Sequence, residues 1–188
     1  MTPATVVCVH GAWHGGWCWG RLEPHLRAAG HEVVAPTLTG LGDRAHLLAP
    51  TVGLDTHISD IVATLELRRD RGVILLGHSY AGQVIAGVAS ARPDLVGGLI
   101  YLDAFLPEDG DRAIELQPPR IAGHYRTAVA EAGFGWLIPP RGLDVLGVTD
   151  PGDVAWLGPR LGAVLEGGYN LATLPRLVEA AIEGFDAA

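Results

Sequence analysis

Gly77-His78-Ser79-Tyr80-Ala81-Gly82 follows the apolar run Val73-Ile74-Leu75-Leu76 and leads into Gln83 to Ala91, a stretch of small residues with helical patterning. A strand that ends in a sharp turn and hands over to a helix is the setting of a nucleophile elbow, G-x-S-x-G. There the serine takes a strained backbone conformation, its hydroxyl stands clear of the sheet, and the next N–H points into an oxyanion site. Small residues are needed around it because strand and helix pass too close for side chains. Ala81 stands where the motif usually has its last glycine.

Working outward, strand and helix signals alternate. Val6 to Val9 is a β-branched run read as a buried strand. His10 to Gly16 is a glycine-rich loop, and Trp17 to Ala29 reads as a helix stopped by Gly30. Glu32 to Ala35 is a second strand ended by Pro36, and Thr37 to Leu54 is a loop. Thr56 to Arg68 is amphipathic, with Ile58, Ile61, Val62 and Leu65 on one face. Leu99 to Leu102 is a strand after the Arg92-Pro93-Asp94 break. Helical segments between near-continuous apolar strands imply right-handed crossovers and a parallel sheet covered on both faces. Ligands bind such sheets beyond the carboxyl ends of the strands. His10, Ser79 and Asp103 all fall at such ends.

Beyond Ala104 prolines punctuate short helical pieces, and Ala113 to Gly147 reads as a small helical insertion. A helix to Leu161, a short strand from Ala163 to Leu165 and a last helix from Leu171 to Phe185 are expected after Pro151.

The chain of 188 residues is expected to form one domain. Its net charge of −8 argues against nucleic acid or an anionic membrane as partner. All 13 basic residues are arginine, so no lysine is present to act as a nucleophile or form a Schiff base. The composition is 48% hydrophobic, yet no apolar run approaches a membrane span of about 18 residues. No secretory leader pattern opens the chain, which makes the cytoplasm the expected compartment. Cys8 and Cys18 are too few for a disulfide framework and are read as free thiols. The spacings of His10, His14 and His25 match no zinc signature, and the glycine-rich loop lacks both G-x-G-x-x-G and a P-loop lysine, so neither metal nor other cofactor is expected.

Val9-His10-Gly11-Ala12-Trp13-His14-Gly15-Gly16-Trp17 carries the second constellation. A strand entering His-Gly-x followed by further glycines suits an oxyanion loop. Ester hydrolysis builds negative charge on the carbonyl oxygen, and each preorganised N–H there is worth about 3 kcal/mol. The backbones of Ala12 and Tyr80 are the expected donors.

These two segments, extended to Cys18-Trp19 and joined by Ala35-Pro36-Thr37-Leu38-Thr39-Gly40-Leu41-Gly42 and Tyr101-Leu102-Asp103-Ala104-Phe105, resemble the α/β-hydrolase superfamily. The branch is similar to bacterial esterases related to plant methylesterases and hydroxynitrile lyases. The resemblance spans roughly Thr5 to Leu161. It implies an α/β-hydrolase-like parallel sheet with helices on both faces, and a serine hydrolase with Ser79 as nucleophile and Ala12 and Tyr80 as donors. It further implies a small helical cap, about residues 106–150, over an apolar pocket to which Trp13, Trp136 and Leu137 are expected to contribute. Lyases of that branch use an active-site lysine, so the resemblance favours an esterase or lactonase acting on small carboxylic esters through an acyl-enzyme.

A serine nucleophile needs a base, and the base needs an orienting carboxylate. The family carries both near its C-terminus, whereas here His124 is the only histidine after Ser79. Val164-Leu165-Glu166-Gly167-Gly168-Tyr169-Asn170-Leu171 is instead similar to the closing segment of histone deacetylase-like amidohydrolases, whose zinc-binding motif is absent. A C-terminally shortened or mosaic chain is expected, with a sheet of about five strands and an apolar edge that favours a homodimer. Three functional readings follow. A substitute triad joins Ser79 to Asp103 and His124; an upstream histidine (His10, His14 or His78) serves as base, although the resemblance implies that His10 belongs to the oxyanion and substrate-binding loop and supports its geometry; or the chain is a small-molecule binder with little catalysis.

Overall fold

The computed structural model describes residues 3–68, 72–140, 142–144 and 147–157. Four strands form one parallel sheet among these residues: β1 (Thr5–Val9), β2 (Glu32–Val34), β3 (Val73–His78) and β4 (Val96–Leu102), in the spatial order β2-β1-β3-β4. β1 and β3 are central, and Val7 pairs with Leu75, which in turn pairs with Leu99. All six residues of β3 are buried, as a strand covered on both faces must be. The fifth strand expected at Ala163 to Leu165, the helix expected from Leu171 and the amidohydrolase-like segment lie outside the described residues.

The period of two along β1 divides the core. Val7 and Val9 join Val73 and Leu75 beneath α2 (Leu54–Arg68) and α3 (Ala81–Ala91), where Ile61, Leu65, Val84, Ile85 and Val88 are buried. Val6 and Cys8 turn the other way, with Ile74 and Leu76, onto Trp19, Leu22 and Leu26. The apolar face read between Ile58 and Leu65 packs on this core as expected, Ile58 and Val62 at its margin.

The long helix expected from Trp17 to Ala29 is two pieces, a 3₁₀ helix (Gly16–Arg21) and α1 (Glu23–Ala28). Pro24 lies in the first turn of α1; it has no N–H to give to a preceding turn and its ring would clash with one. Gly30, at φ +95°, ends α1 as the sequence suggests. After β4 come α4 (Pro119–Ala132) and α5 (Pro151–Leu157). α5 docks on the 3₁₀ helix through Arg21, which lies 4.3 Å over the Trp156 ring and pairs with Asp153. Among the described residues no helix is long and apolar enough to cross a membrane.

Candidate active site

Ser79 begins where β3 ends. Its φ is +54°, a left-handed conformation that a non-glycine residue adopts at a cost of about 1–2 kcal/mol. The backbone is held there from three sides. Ser79 N–H donates to the Leu102 carbonyl at 3.4 Å, and the Ser79 carbonyl accepts from Gly82 N–H and Phe105 N–H, each at 3.1 Å. Locking that carbonyl fixes the plane of the Ser79–Tyr80 peptide, so the Tyr80 N–H has a set direction. Tyr80 is the N-cap of α3, where an N–H has no acceptor within the helix.

Glycines permit the close packing around this turn. A Cβ on Gly82 would lie 1.9 Å from the Phe105 carbonyl oxygen, and one on Gly11 would lie 3.1 Å from the Ser79 Cβ. The tight approach to the chain leaving β4 thus falls at Gly82, one residue past the motif position that Ala81 occupies; Ala81 itself is buried core.

The facing loop is built the same way. Gly11 carbonyl accepts from the His10 Nδ1–H at 2.8 Å, which fixes the Gly11–Ala12 peptide and hence the Ala12 N–H. His10 Nε2 accepts from Leu38 N–H at 3.0 Å, so the tautomer is settled by its two partners. His14 Nδ1 lies 2.8 Å from the Ala12 carbonyl. Both rings are buried. Burial disfavours their charged forms and takes His10 down to about 3 and His14 down to about 4, against hydrogen bonds to backbone carbonyls that pull the other way.

Because the folded state resists protonating these rings while the unfolded chain takes protons near pH 6.5, their contribution is present above that pH. It is lost as pH falls toward the folded values. Together they are expected to remove roughly 3 kcal/mol of stability between about pH 6.5 and 5. Urea unfolding across that range measures the loss, and His14→Gln should lower its His-dependent slope, with His10 and His57, also shifted down by burial, carrying the remainder.

Ser79, Tyr80, Ala12 and Trp13 line one cleft with Phe105, Ala113, Ile114, Gln117, Tyr125 and Ile138; it is open to solvent, and its space, counted with the open mouth, is about 450 Å³. Its far wall is therefore the segment after β4. Trp13, at φ +66°, joins the two halves: its Nε1–H donates to the Ile138 carbonyl at 2.7 Å and its ring lies 5.9 Å from that of Tyr125.

The other expected site residues are placed elsewhere. His10 sits behind the loop with both ring nitrogens engaged by backbone, which removes it as a base and as a substrate contact. His14 is equally buried, and His78 packs edge-on against it. His124 is exposed on α4, and Asp103 is exposed just beyond β4 at φ +42°; neither lines the cleft. Trp136 and Leu137 do not line it either; their neighbour Ile138 does. Phe105 was visible within the Tyr101–Phe105 motif. Ile114, Gln117 and Tyr125 carry no pattern that marks them, because their place depends on how the cap folds over the sheet.

Residues 6–184 match the model of the alpha/beta hydrolase family. The chain is 51% identical over 115 residues to a carbendazim hydrolyzing esterase of Nocardioides sp., covering 61% of this chain and 48% of that protein. It is 30% identical over 146 residues to methylesterase 1 of Arabidopsis thaliana, covering 76% of this chain and 54% of that protein. An extracellular alpha/beta-hydrolase from a Paenibacillus species superposes with a TM-score of 0.75 over 85% of this chain and 66% of its own, at 22% identity. A parallel sheet with helices on both faces and a positive-φ serine between strand and helix define an α/β-hydrolase core. The chain belongs to the alpha/beta hydrolase family, in line with the resemblance to plant methylesterases and their bacterial relatives. It spans about half the length of the curated relatives it matches.

Proposed function

We propose that this protein is a serine-dependent carboxylic ester hydrolase acting on small, largely apolar esters or lactones. The observation that carries the reading is Ser79, at φ +54°, opening on the same cleft as Ala12 and Tyr80. The relatives named as a carbendazim hydrolyzing esterase and a methylesterase support it. Ser79 Oγ adds to the substrate carbonyl carbon and gives its proton to a base. The carbonyl oxygen takes the negative charge between the Ala12 and Tyr80 N–H groups. Collapse breaks the bond to the alkoxy group, which leaves as the alcohol with that proton, and water then frees the acid from the serine.

The base decides the rate. His124 and Asp103 are the proposed partners from the sequence, and His124 serves only if α4 turns it toward Ser79. That no histidine lines the cleft among the described residues favours a second reading, in which the protein binds such molecules and turns them over slowly. Removing a triad member leaves a residue of catalysis, about 10³–10⁴ over water, from the oxyanion site and binding alone.

A fluorophosphonate probe read by intact mass and peptide mapping tests the reading. One adduct per chain on Ser79 is expected. No adduct on a folded protein, or one mapped elsewhere, overturns the hydrolase. Loss of labelling in His124→Ala identifies that residue as the base, and undiminished labelling assigns the proton to another group. The homodimer belongs to the same proposal, with the exposed Leu106 and Phe134 as apolar surface to be covered; a monomer by light scattering at micromolar concentration overturns it.

A further inference from the structure

We propose that His57 is a positioning residue for the oxyanion site, acting through the Tyr80 hydroxyl; this rests on reading the Tyr80 N–H as an oxyanion donor. His57 lies on α2, buried, and Tyr80 O–H donates to its Nδ1 at 3.0 Å. On its other side, Nε2–H donates to the Thr39 carbonyl at 2.9 Å. The carbonyl can only accept, so Nε2 carries the proton and Nδ1 is left as acceptor for the phenol.

Thr39 is itself fastened. Its N–H and Oγ1 donate to the two carboxylate oxygens of Asp60 at 2.7 and 2.9 Å. Arg44 reaches the same carboxylate at 3.4 Å and the Thr37 carbonyl at 2.9 Å. Thr37 Oγ1 in turn accepts from Gly16 N–H, at the end of the oxyanion loop, at 2.9 Å.

The short segment Thr37–Thr39 therefore holds both proposed donors. Leu38 N–H sets His10, His10 sets the Gly11 carbonyl, and that peptide carries the Ala12 N–H. One residue later Thr39 sets His57, and His57 holds the side chain whose backbone N–H is the second donor. Two chain segments far apart in sequence must present N–H groups to one oxygen, and a misplacement of about 1 Å in such a site costs about 10²-fold. A single clasp that braces both narrows that freedom, adding on the Tyr80 side to the Gly82 and Phe105 N–H groups that hold the Ser79 carbonyl. His57 touches no reacting atom in this arrangement. It acts on the turn through the Tyr80 ring, whose hydroxyl would otherwise be a half-buried polar group seeking its own partner.

The test uses Tyr80→Phe, His57→Leu, His57→Gln and the His57→Leu/Tyr80→Phe double variant of the full chain. Each is followed by the saturation kinetics of fluorophosphonate labelling and by the amide NMR resonances of residues 12, 38, 39 and 80. Tyr80→Phe and His57→Leu are expected to slow maximal labelling about tenfold while half-saturation moves less than about twofold. The double variant should be no slower than the slower single one, since both break the same link. Gln offers an acceptor and a donor in place of the two ring nitrogens, so His57→Gln should recover most of the rate.

Labelling of Tyr80→Phe at the wild-type rate, additive losses in the double variant, or a His57→Gln no better than His57→Leu overturns the proposal. If the wild-type chain is not labelled at all, the hydrolase reading fails. The amide resonances then decide the clasp: shifts at residues 38, 39 and 80 in Tyr80→Phe support it, and shifts confined to position 80 overturn it.

Discussion

Ser79→Gly is expected to abolish esterase turnover and phosphonate labelling while making the protein more stable. Loss of the hydroxyl removes the atom that forms the acyl bond, a loss of at least about 10³-fold on serine-hydrolase precedent. The gain in stability has a separate source. A serine at φ +54° carries left-handed strain that glycine does not feel. Against this, glycine loses more backbone freedom on folding, roughly 0.5–1 kcal/mol. The balance is a gain of about 1 kcal/mol, read as a higher urea midpoint at unchanged slope. Ser79→Ala keeps the Cβ and so keeps the strain; it should lose the same activity at unchanged stability. Equal stability for the glycine and alanine variants would mean that the turn is not strained as the backbone angle states.

Gly82→Ala is expected to cost about 3 kcal/mol or more and to lose labelling with it. A Cβ at this position would lie 1.9 Å from the Phe105 carbonyl oxygen and 2.9 Å from its carbonyl carbon. Those atoms belong to backbone, and Phe105 N–H is tied to the Ser79 carbonyl, so neither side yields cheaply. Relief requires α3 to lift from the chain leaving β4, which opens the hydrogen bonds that hold Ser79 and separates buried Val84 and Ile85 from the sheet. Overpacking of a well-packed core costs typically 1–3 kcal/mol, and a backbone clash at the turn adds to it. Gly20, where a Cβ would meet nothing within 4 Å, is the control: Gly20→Ala should fold with wild-type stability. If Gly82→Ala melts with Gly20→Ala, the packing at the elbow is looser than these distances state.

What the sequence alone determined about this protein is local or periodic. Strands β1 and β3 are legible because buried parallel strands are continuous runs of apolar residues, the end of β4 because Leu99 to Leu102 is an apolar run although only Ile100 of that strand is buried, and α2 because its apolar positions repeat with the helical period. The elbow is legible because a strand, a tight turn and a helix follow one another within about a dozen residues, and the turn's strain and small neighbours are properties of that short segment. The His10 loop is legible for the same reason, although the bracing work of His10 came from the family resemblance and not from the spacing. Its ring faces the loop's own backbone and Leu38, and nothing in the spacing distinguishes a histidine that braces a loop from one that meets a substrate.

Tertiary structure alone decided the rest, because the partners are distant in the chain. Trp13 meets Ile138 across 125 residues, so the cleft wall depends on how the cap lies over the sheet. His124 and Tyr125 are adjacent, yet one is exposed and the other buried; the helix face that packs inward separates them. His57 sits on α2 and reads as ordinary helix sequence, while Tyr80, the N-cap of α3, is marked by the elbow motif for its backbone N–H and not for its phenol. Only the packing of α2 beside α3 over β1 and β3 brings the imidazole to the phenol, which is why that contact has no signature in the order of residues.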